Sequence, residues 1–474
     1  MSLFCNIYDL EYYSVKKEMR YIMKNLTKYF NPISIITFAI CIILAIYGTI
    51  TYKTGLLPVP WLIIPICTGL CFFIASKLNK LENLNMTVDE YRRIVVIMCI
   101  LLFTAQIITA IFADFTPIND LSYVCTGAKN LILNKNIYDD IPEVHNDYFE
   151  VYPNNHFLFT VIYLLYKIEF MLTGNITDTL PTALNLIGLN ISYILMCRIA
   201  EIIHKPSKAF LCAVRGMLFT PLITYTSFFY TDSMTMPLVT SAAYFYLKFK
   251  KSGKITQLII CGTLIGMAYK MKGSSLILLI AVIIDMIMDK FKIKNFAVII
   301  LPCIIICKII SETALKILHI SHETLKQKSF PLIHWIMMSA DGRGGYNSAD
   351  FLYTQSFTGD NKKSAALARL AEKMHNQGFF GFLHHIAEKI SYTWENFTFM
   401  AGYYYNDSFS SRIFIVVSFL CHFTLLFSIL ISMKKSTDKT FLFRLCLFGL
   451  IIFLLIWETR CRYLVSFFPL FLLI

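Results

Sequence analysis

The sequence predicts an all-α protein: a polytopic bundle of about 11 to 13 transmembrane helices with external loops. Three observations lead there. Of 474 residues, 57% are hydrophobic and only 15% are charged, whereas soluble domains carry about 25% charged residues. The apolar residues recur in blocks, many of them reaching the roughly 17 to 20 positions that a helix needs to cross the hydrocarbon layer. The basic residues sit in short clusters between those blocks, which is the positive-inside pattern. So distributed, the net charge of +13 marks cytoplasmic loops and speaks against nucleic acid as a partner.

The first 32 residues are mixed and basic (Lys16, Lys17, Arg20, Lys24, Lys28) and lack an early apolar core with a cleavage site. The first block, 33–50, is therefore expected to remain as a signal anchor. Basic clusters at 16–28, 77–93, 205–208, 248–254, 290–294 and 434–444 place those stretches inside. Residues 33–51 then lead out, 60–76 return, and 94–112 lead out again. The stretch 113–155 holds seven acids (Asp114, Asp120, Asp139, Asp140, Glu143, Asp147, Glu150) against Lys129 and Lys135, as an outer loop would.

Beyond it, 209–228 lead out, 233–248 return, 255–269 lead out, 274–289 return and 295–310 lead out. A long external region over 311–410 follows, with a helix expected at 365–375 from its apolar spacing. Residues 411–432 return, 440–457 lead out, and the last apolar run returns; at about a dozen residues it is short for a crossing, which leaves room for a further C-terminal tail. Four parts result: 1–93, a cytoplasmic N-terminus with an extra hairpin; 94–310, the main transmembrane module; 311–410; and 411–474, the C-terminal helices. Parity allows one full crossing between 156 and 202, so 156–172 is expected to be re-entrant or interfacial. Most cysteines lie inside apolar blocks and form no C-x-x-C pair, which suits packing residues better than zinc or a disulfide framework.

Several outer residues could carry chemistry. Asp120, in Thr116-Pro-Ile-Asn-Asp-Leu-Ser-Tyr123, could act as a general base on a hydroxyl. It could equally be a solvated loop acid or a cap, and Asp114 is the runner-up. Lys272, with Lys270 beside it at an outer turn, could hold a lipid phosphate or simply snorkel. In Trp457-Glu-Thr-Arg-Cys-Arg-Tyr463, Glu458 and Arg462 could pair across one helical turn, and Arg460 and Arg462 lie outside. Asp232, after Phe228, Phe229 and Tyr230, could orient a sugar hydroxyl or a metal, or cap the following helix. The turn Asp341-Gly-Arg-Gly-Gly-Tyr-Asn347 lacks the Gly-Lys-Ser/Thr of a phosphate loop and reads as a plain turn rather than a gate.

In this order, the motifs resemble those of the GT-C membrane glycosyltransferases, in the branch of protein O-mannosyltransferases and lipid A aminoarabinose transferases. Asp120, Tyr123 and Ala128 look like the branch's first-loop run, and Tyr152-Pro-Asn-Asn155 looks like its Tyr-Pro-Pro. Thr231-Asp232, Gly262-x-x-x-Gly266, Lys272-Gly273 and Glu458 to Arg462-Tyr463 follow. Asn154 in place of a second proline, and the missing Asp-Glu pair of the first loop, depart from that pattern.

The resemblance implies a GT-C-like bundle and a glycosyl transferase at the outer face of a cell membrane. The donor is a polyprenyl-phosphate-linked sugar, and a glycan, lipid or protein hydroxyl attacks it in one inverting step. It casts Asp120 as the base and Lys270, Lys272, Arg460 and Arg462 as the phosphate ligands. Tyr123, Tyr152, Asp232, Glu458 and Tyr463 would position substrate. No cofactor is implied; no metal cluster stands out, and a divalent metal stays open. Lys-, Ile- and Asn-rich usage points to a bacterial cell. The alternatives are a lipid-linked glycan flippase or transporter, for which Asp285 is the main intramembrane acid, and a polysaccharide polymerase or ligase.

Overall fold

The computed structural model describes residues 28–51, 63–112, 115–395, 409–435 and 438–474, with the backbone alone at 409–412 and 438. The described residues form helices joined by turns, and no strand occurs among them. Helices α1 (Lys28–Thr51), α2 (Ile63–Leu78) and α3 (Val88–Phe112) open the chain. Then come α4 (Asn119–Ile132), α5 (His156–Thr173), α6 (Thr179–Ile203), α7 (Pro206–Leu218), α8 (Thr231–Ser252), α9 (Ile255–Met271), α10 (Leu276–Met288) and α11 (Ile293–Leu318). Four helices, α12 (His322–Lys328), α13 (Leu332–Ser339), α14 (Ser348–Gln355) and α15 (Asp360–Trp394), precede α16 (Phe409–Met433) and α17 (Phe441–Ile456). Seven of the described helices are long and apolar enough to cross a membrane. The exposed residues Ile36, Ile43, Ile97, Ile100 and Leu101 on α1 and α3 are what lipid, rather than water, would cover.

Contacts between helix ends define two faces. On one, Arg92 at the start of α3 meets Glu201 at the end of α6 at 2.5 Å, Ser207 of α7 donates to the Glu82 carbonyl, and Lys435 pairs with Glu82. The basic stretches 77–93 and 205–208 and Lys435 meet there. On the other face stand Asp120, Asp232, Lys272 and Arg462.

Helix α6 runs antiparallel to α3, since the Tyr91 hydroxyl donates to the Cys197 carbonyl at 2.8 Å and Asn190 bonds Gln106. It runs parallel to α8, with Gly188 against Pro237 and Arg198 near Tyr244. The start of α6 therefore belongs to the face of Asp120. Both ends of α5 lie there too. His156 sits on the Phe149 carbonyl at 2.6 Å, and five residues beyond α5, Asp178 pairs with Tyr166 and with Lys129 of α4. Helix α5 has the length and composition of a span, and it packs along α4 with both ends near the face of Asp120.

Gly262 and Gly266 of α9 let two backbones touch. A Cβ on Gly262 would lie 2.2 Å from the Ile299 carbonyl oxygen of α11, and one on Gly266 would lie 2.6 Å from that of Cys303. Small residues at this spacing are what helices need for close approach in lipid. Arg215 of α7 ties the interior together. It is fully buried and donates to the Asn79 side chain, to Ser428 and Ser432 of α16, and to the Leu472 carbonyl of the final run. That run descends from the Asp120 face into the bundle, where the Leu473 carbonyl meets His204 at 2.8 Å.

Three expectations need correction. The stretch 209–228 is not one helix, because α7 stops at Leu218 and the chain breaks before Pro221. Proline lacks the amide that would continue the helix. The region expected outside from 311 starts later, since α11 continues to Leu318. Its last described turn is not external either. The Trp394 ring packs on Phe38, midway along α1, at 5.5 Å, and the Trp394 carbonyl bonds His422 of α16. The helix expected at 365–375 lies inside α15, which bends at Gly378, where φ is +60°.

Candidate functional site

The chain enters α4 through Asn119 at φ +50°, a conformation that Asn tolerates better than most residues. This places Asp120 in the first turn. Both of its carboxylate oxygens are engaged: the Tyr148 hydroxyl donates to Oδ1 and the Tyr230 hydroxyl donates to Oδ2, each at 3.1 Å. Asn155 in turn donates to the Tyr148 oxygen at 2.5 Å. Asp120 is therefore not a capping residue. Burial, reinforced by the Asp120 charge, pushes both phenols well above their usual range, so they stay protonated donors.

Asp232 lies in the first turn of α8 with no exposed surface. It serves as an ion partner, bonding Lys272 Nζ and lying 3.7 Å from Arg462 Nε. Lys272 owes its position to the break between α9 and α10, where its backbone is extended at φ −154°. Its ammonium also lies over the Tyr463 ring at 4.1 Å, and the Arg462 guanidinium lies over Tyr230 at 5.0 Å.

The expected pairing of Glu458 with Arg462 across a helical turn does not form. Trp457 and Arg460 are extended, and only Cys461–Leu464 coil, as a 3-10 turn. Glu458 pairs with Arg460 instead, at 3.7 Å, while Arg462 turns to Asp232. Burial raises the Glu458 carboxyl above the usual range, against the pull of Arg460 and Arg462.

Tyr123 packs on His145 at 4.8 Å and on Tyr148 at 5.2 Å. Tyr152 lies between Tyr148, Trp335 and Phe351. Lys270 leaves the constellation. Two residues before Lys272, it is on another side of α9, with His156 and Cys307 as its electrostatic neighbours. Lys270 is still in the last turn of α9, whereas Lys272 lies past its end in extended backbone, which separates the pair. Asp114 lies outside the described residues.

The turn from Asp341 to Asn347 is more than a turn. The Thr459 amide donates to the Gly344 carbonyl at 2.8 Å, and Arg343 pairs with Glu395 at 2.9 Å. Gly344, at φ +76°, presses on the Lys389 side chain. Tyr346 faces the charges of Asp120, Glu458 and Arg460. Lys389 donates to Ser339 Oγ at 3.0 Å and to the Leu455 carbonyl at 2.9 Å, and burial pushes its pKa down to about 7, against the pull of Glu458. Sequence reasoning did not single out Tyr148, Asn155 or Lys389 and saw Tyr230 only as a neighbour of Asp232. The cue for Tyr148 was its place one helical turn before Tyr152.

The site thus has a carboxylate held by two phenols on one side and a cluster of cations on the other. No group of three or more His, Cys, Asp or Glu side chains with metal-binding geometry occurs among the described residues. Fold and site together define a polytopic α-helical membrane protein with a buried ionic centre near one face. A family model described as "conserved hypothetical integral membrane protein" matches residues 19–402, and the chain belongs to that family. No curated protein matches it.

Proposed function

We propose that this chain is a membrane glycosyltransferase that moves a sugar from a polyprenyl-phosphate donor to a hydroxyl acceptor. The observation that carries the reading is Tyr230, which donates to Asp120 through its hydroxyl and lies beneath Arg462 through its ring. One rigid side chain so spaces a base and a phosphate-binding cation. The acceptor hydroxyl attacks the anomeric carbon while Asp120 takes its proton. The bond from the anomeric carbon to the phosphate oxygen breaks with inversion, and the departing polyprenyl phosphate keeps the electron pair. Lys272 and Arg462 meet its charge where little water competes. Arg460 and Glu458 border that end, while Tyr123, Tyr152 and Tyr463 shape the walls.

The basic clusters on the opposite face support placing this site outside a cell membrane, in keeping with the positive-inside bias, and residue usage favours a bacterial one. The flippase alternative leans on Asp285, but that acid is bound to Lys250 at 2.7 Å and to the Tyr246 hydroxyl at 2.6 Å, as a helix-tying pair would be. A polymerase or ligase would take its glycan from a lipid diphosphate. Proteoliposomes holding the purified chain, given polyprenyl monophosphate sugars or polyprenyl diphosphate glycans, separate the three. Transfer from the monophosphate donor is expected. Flux of an intact donor without transfer, or transfer from the diphosphate alone, would overturn the proposal.

A further inference from the structure

The start of α10 is unusual for a helix in a bundle interior. Lys272-Gly273-Ser274-Ser275 leads into it through a short 3-10 turn. A serine at this position ordinarily accepts a hydrogen bond from an amide one turn on. Ser275 is itself helical, at φ −63° and ψ −17°, and makes no such bond. Its hydroxyl and that of Ser274 are both buried, at 0% and 4% exposure, and neither has a hydrogen-bond partner. Buried hydroxyls without partners are costly, and a pair of them in succession marks a place for something that accepts hydrogen bonds. Gly273, one residue earlier, is exposed, and a Cβ there would meet open space.

We propose that the start of α10 is a phosphoryl subsite, where the Ser274 and Ser275 hydroxyls bind phosphate oxygens next to Lys272. The helix dipole favours an anion at this end; the Ser275 and Leu276 amides are already bonded to the Lys272 and Gly273 carbonyls, so the two hydroxyls are the donors left for it. Hydroxyl donors suit phosphate oxygens, which only accept. Asp232 would repel such a ligand, but Lys272 and Arg462 flank its carboxylate on both oxygens. Gly273 is the open edge through which the anion enters. The assignment rests on reading Lys272 and Arg462 as the phosphate end of the site. It adds that neutral donors of the chain, and not the cations alone, recognise the phosphoryl group, whether it comes from a lipid or from free phosphate.

The test is binding, without turnover, to the full chain in neutral phosphatidylcholine nanodiscs. The probes are polyprenyl monophosphate, polyprenol, phosphatidic acid and inorganic phosphate. The parent is expected to prefer polyprenyl monophosphate over polyprenol. The Ser274→Ala/Ser275→Ala double variant should bind the monophosphate at least about tenfold more weakly, the loss of one hydrogen bond to a charged group at the low end of its range, with polyprenol binding unchanged. Gly273→Ala meets no atom within the fold and serves where the double variant does not assemble; it should weaken phosphate binding by crowding the open edge. Serine-dependent binding of inorganic phosphate or phosphatidic acid, without a preference for polyprenyl phosphate, keeps the subsite and removes the glycosyl donor reading. Equal phosphate affinity in the parent and the variants, or none in the parent, overturns the subsite.

Discussion

Tyr230 donates its hydroxyl to Oδ2 of Asp120 at 3.1 Å. With Tyr148 on Oδ1, the carboxylate is held from both sides, and the Tyr230 ring spaces it from Arg462. Two acids with different surroundings result: Asp120 is bound by neutral phenols, and Asp232 by cations. The first suits proton transfer, while the second anchors Lys272 and Arg462.

Replacing Asp120 by Asn keeps the shape and removes the base. Transfer in proteoliposomes should fall by about 10² to 10⁴, the usual worth of a general base, while the elution profile in detergent is unchanged. Full activity in that variant would exclude Asp120 from the role.

The two functions of Tyr230 can be separated. Tyr230→Phe keeps the ring under Arg462 and deletes only the hydrogen bond, so a loss of about tenfold is expected. Tyr230→Leu also removes the ring from beneath the guanidinium and should cost considerably more. Equal losses in both variants would show that the ring has no part in spacing acid and cation.

Lys272→Met should destabilise the chain by up to about 3–5 kcal/mol, because removing one partner of a buried pair leaves the Asp232 charge with only the longer contact to Arg462. Combining it with Asp232→Asn should recover much of the loss. A double-mutant cycle on thermal unfolding in one detergent reads the coupling, and additive losses would argue against the pair.

Lys389 supplies a pH signature. Its folded pKa is near 7 against an ordinary 10.5, so the unfolded chain holds the proton more tightly. The penalty is fully present below pH 7 and fades as pH rises toward 10.5, so stability from this group increases with pH across that window. Lys389→Met removes the penalty but also the bonds to Ser339 and Leu455. The melting temperature of the parent should therefore rise relative to that of the variant between pH 7 and 10, and a constant difference would contradict the shift.

Gly262→Val tests the bundle away from the site. Its side chain would meet the Ile299 backbone, which cannot move aside as a rotamer can. The variant should unfold at least several degrees lower than the parent, whereas Gly253→Ala, at a helix end with open space around it, bears only the strain of φ +69°. Equal melting temperatures for Gly262→Val and the parent would remove the close helix contact.

The all-α membrane class and the positions of the long apolar helices were legible in the sequence because lipid demands long apolar runs and charges mark their ends. Asp120, Asp232, Lys272 and Arg462 were legible for a related reason: ionisable residues stand out where the surrounding sequence is apolar. Their partners were not. Tyr148, Tyr230 and Asn155 are ordinary residues in an aromatic-rich chain until the fold brings α4, the start of α8 and the segment before α5 together. Lys270 and Lys272 look equivalent on paper, and only the direction of each side chain at the end of α9 tells them apart. Likewise, Glu458 and Arg462 have helical spacing but no helix between them. By itself, then, the sequence determined a membrane bundle with an ionic turn between apolar runs, since hydrophobic length and charge placement are local properties. Tertiary structure decided which acid meets which cation, because that depends on contacts among segments as much as 353 positions apart, from Glu82 to Lys435.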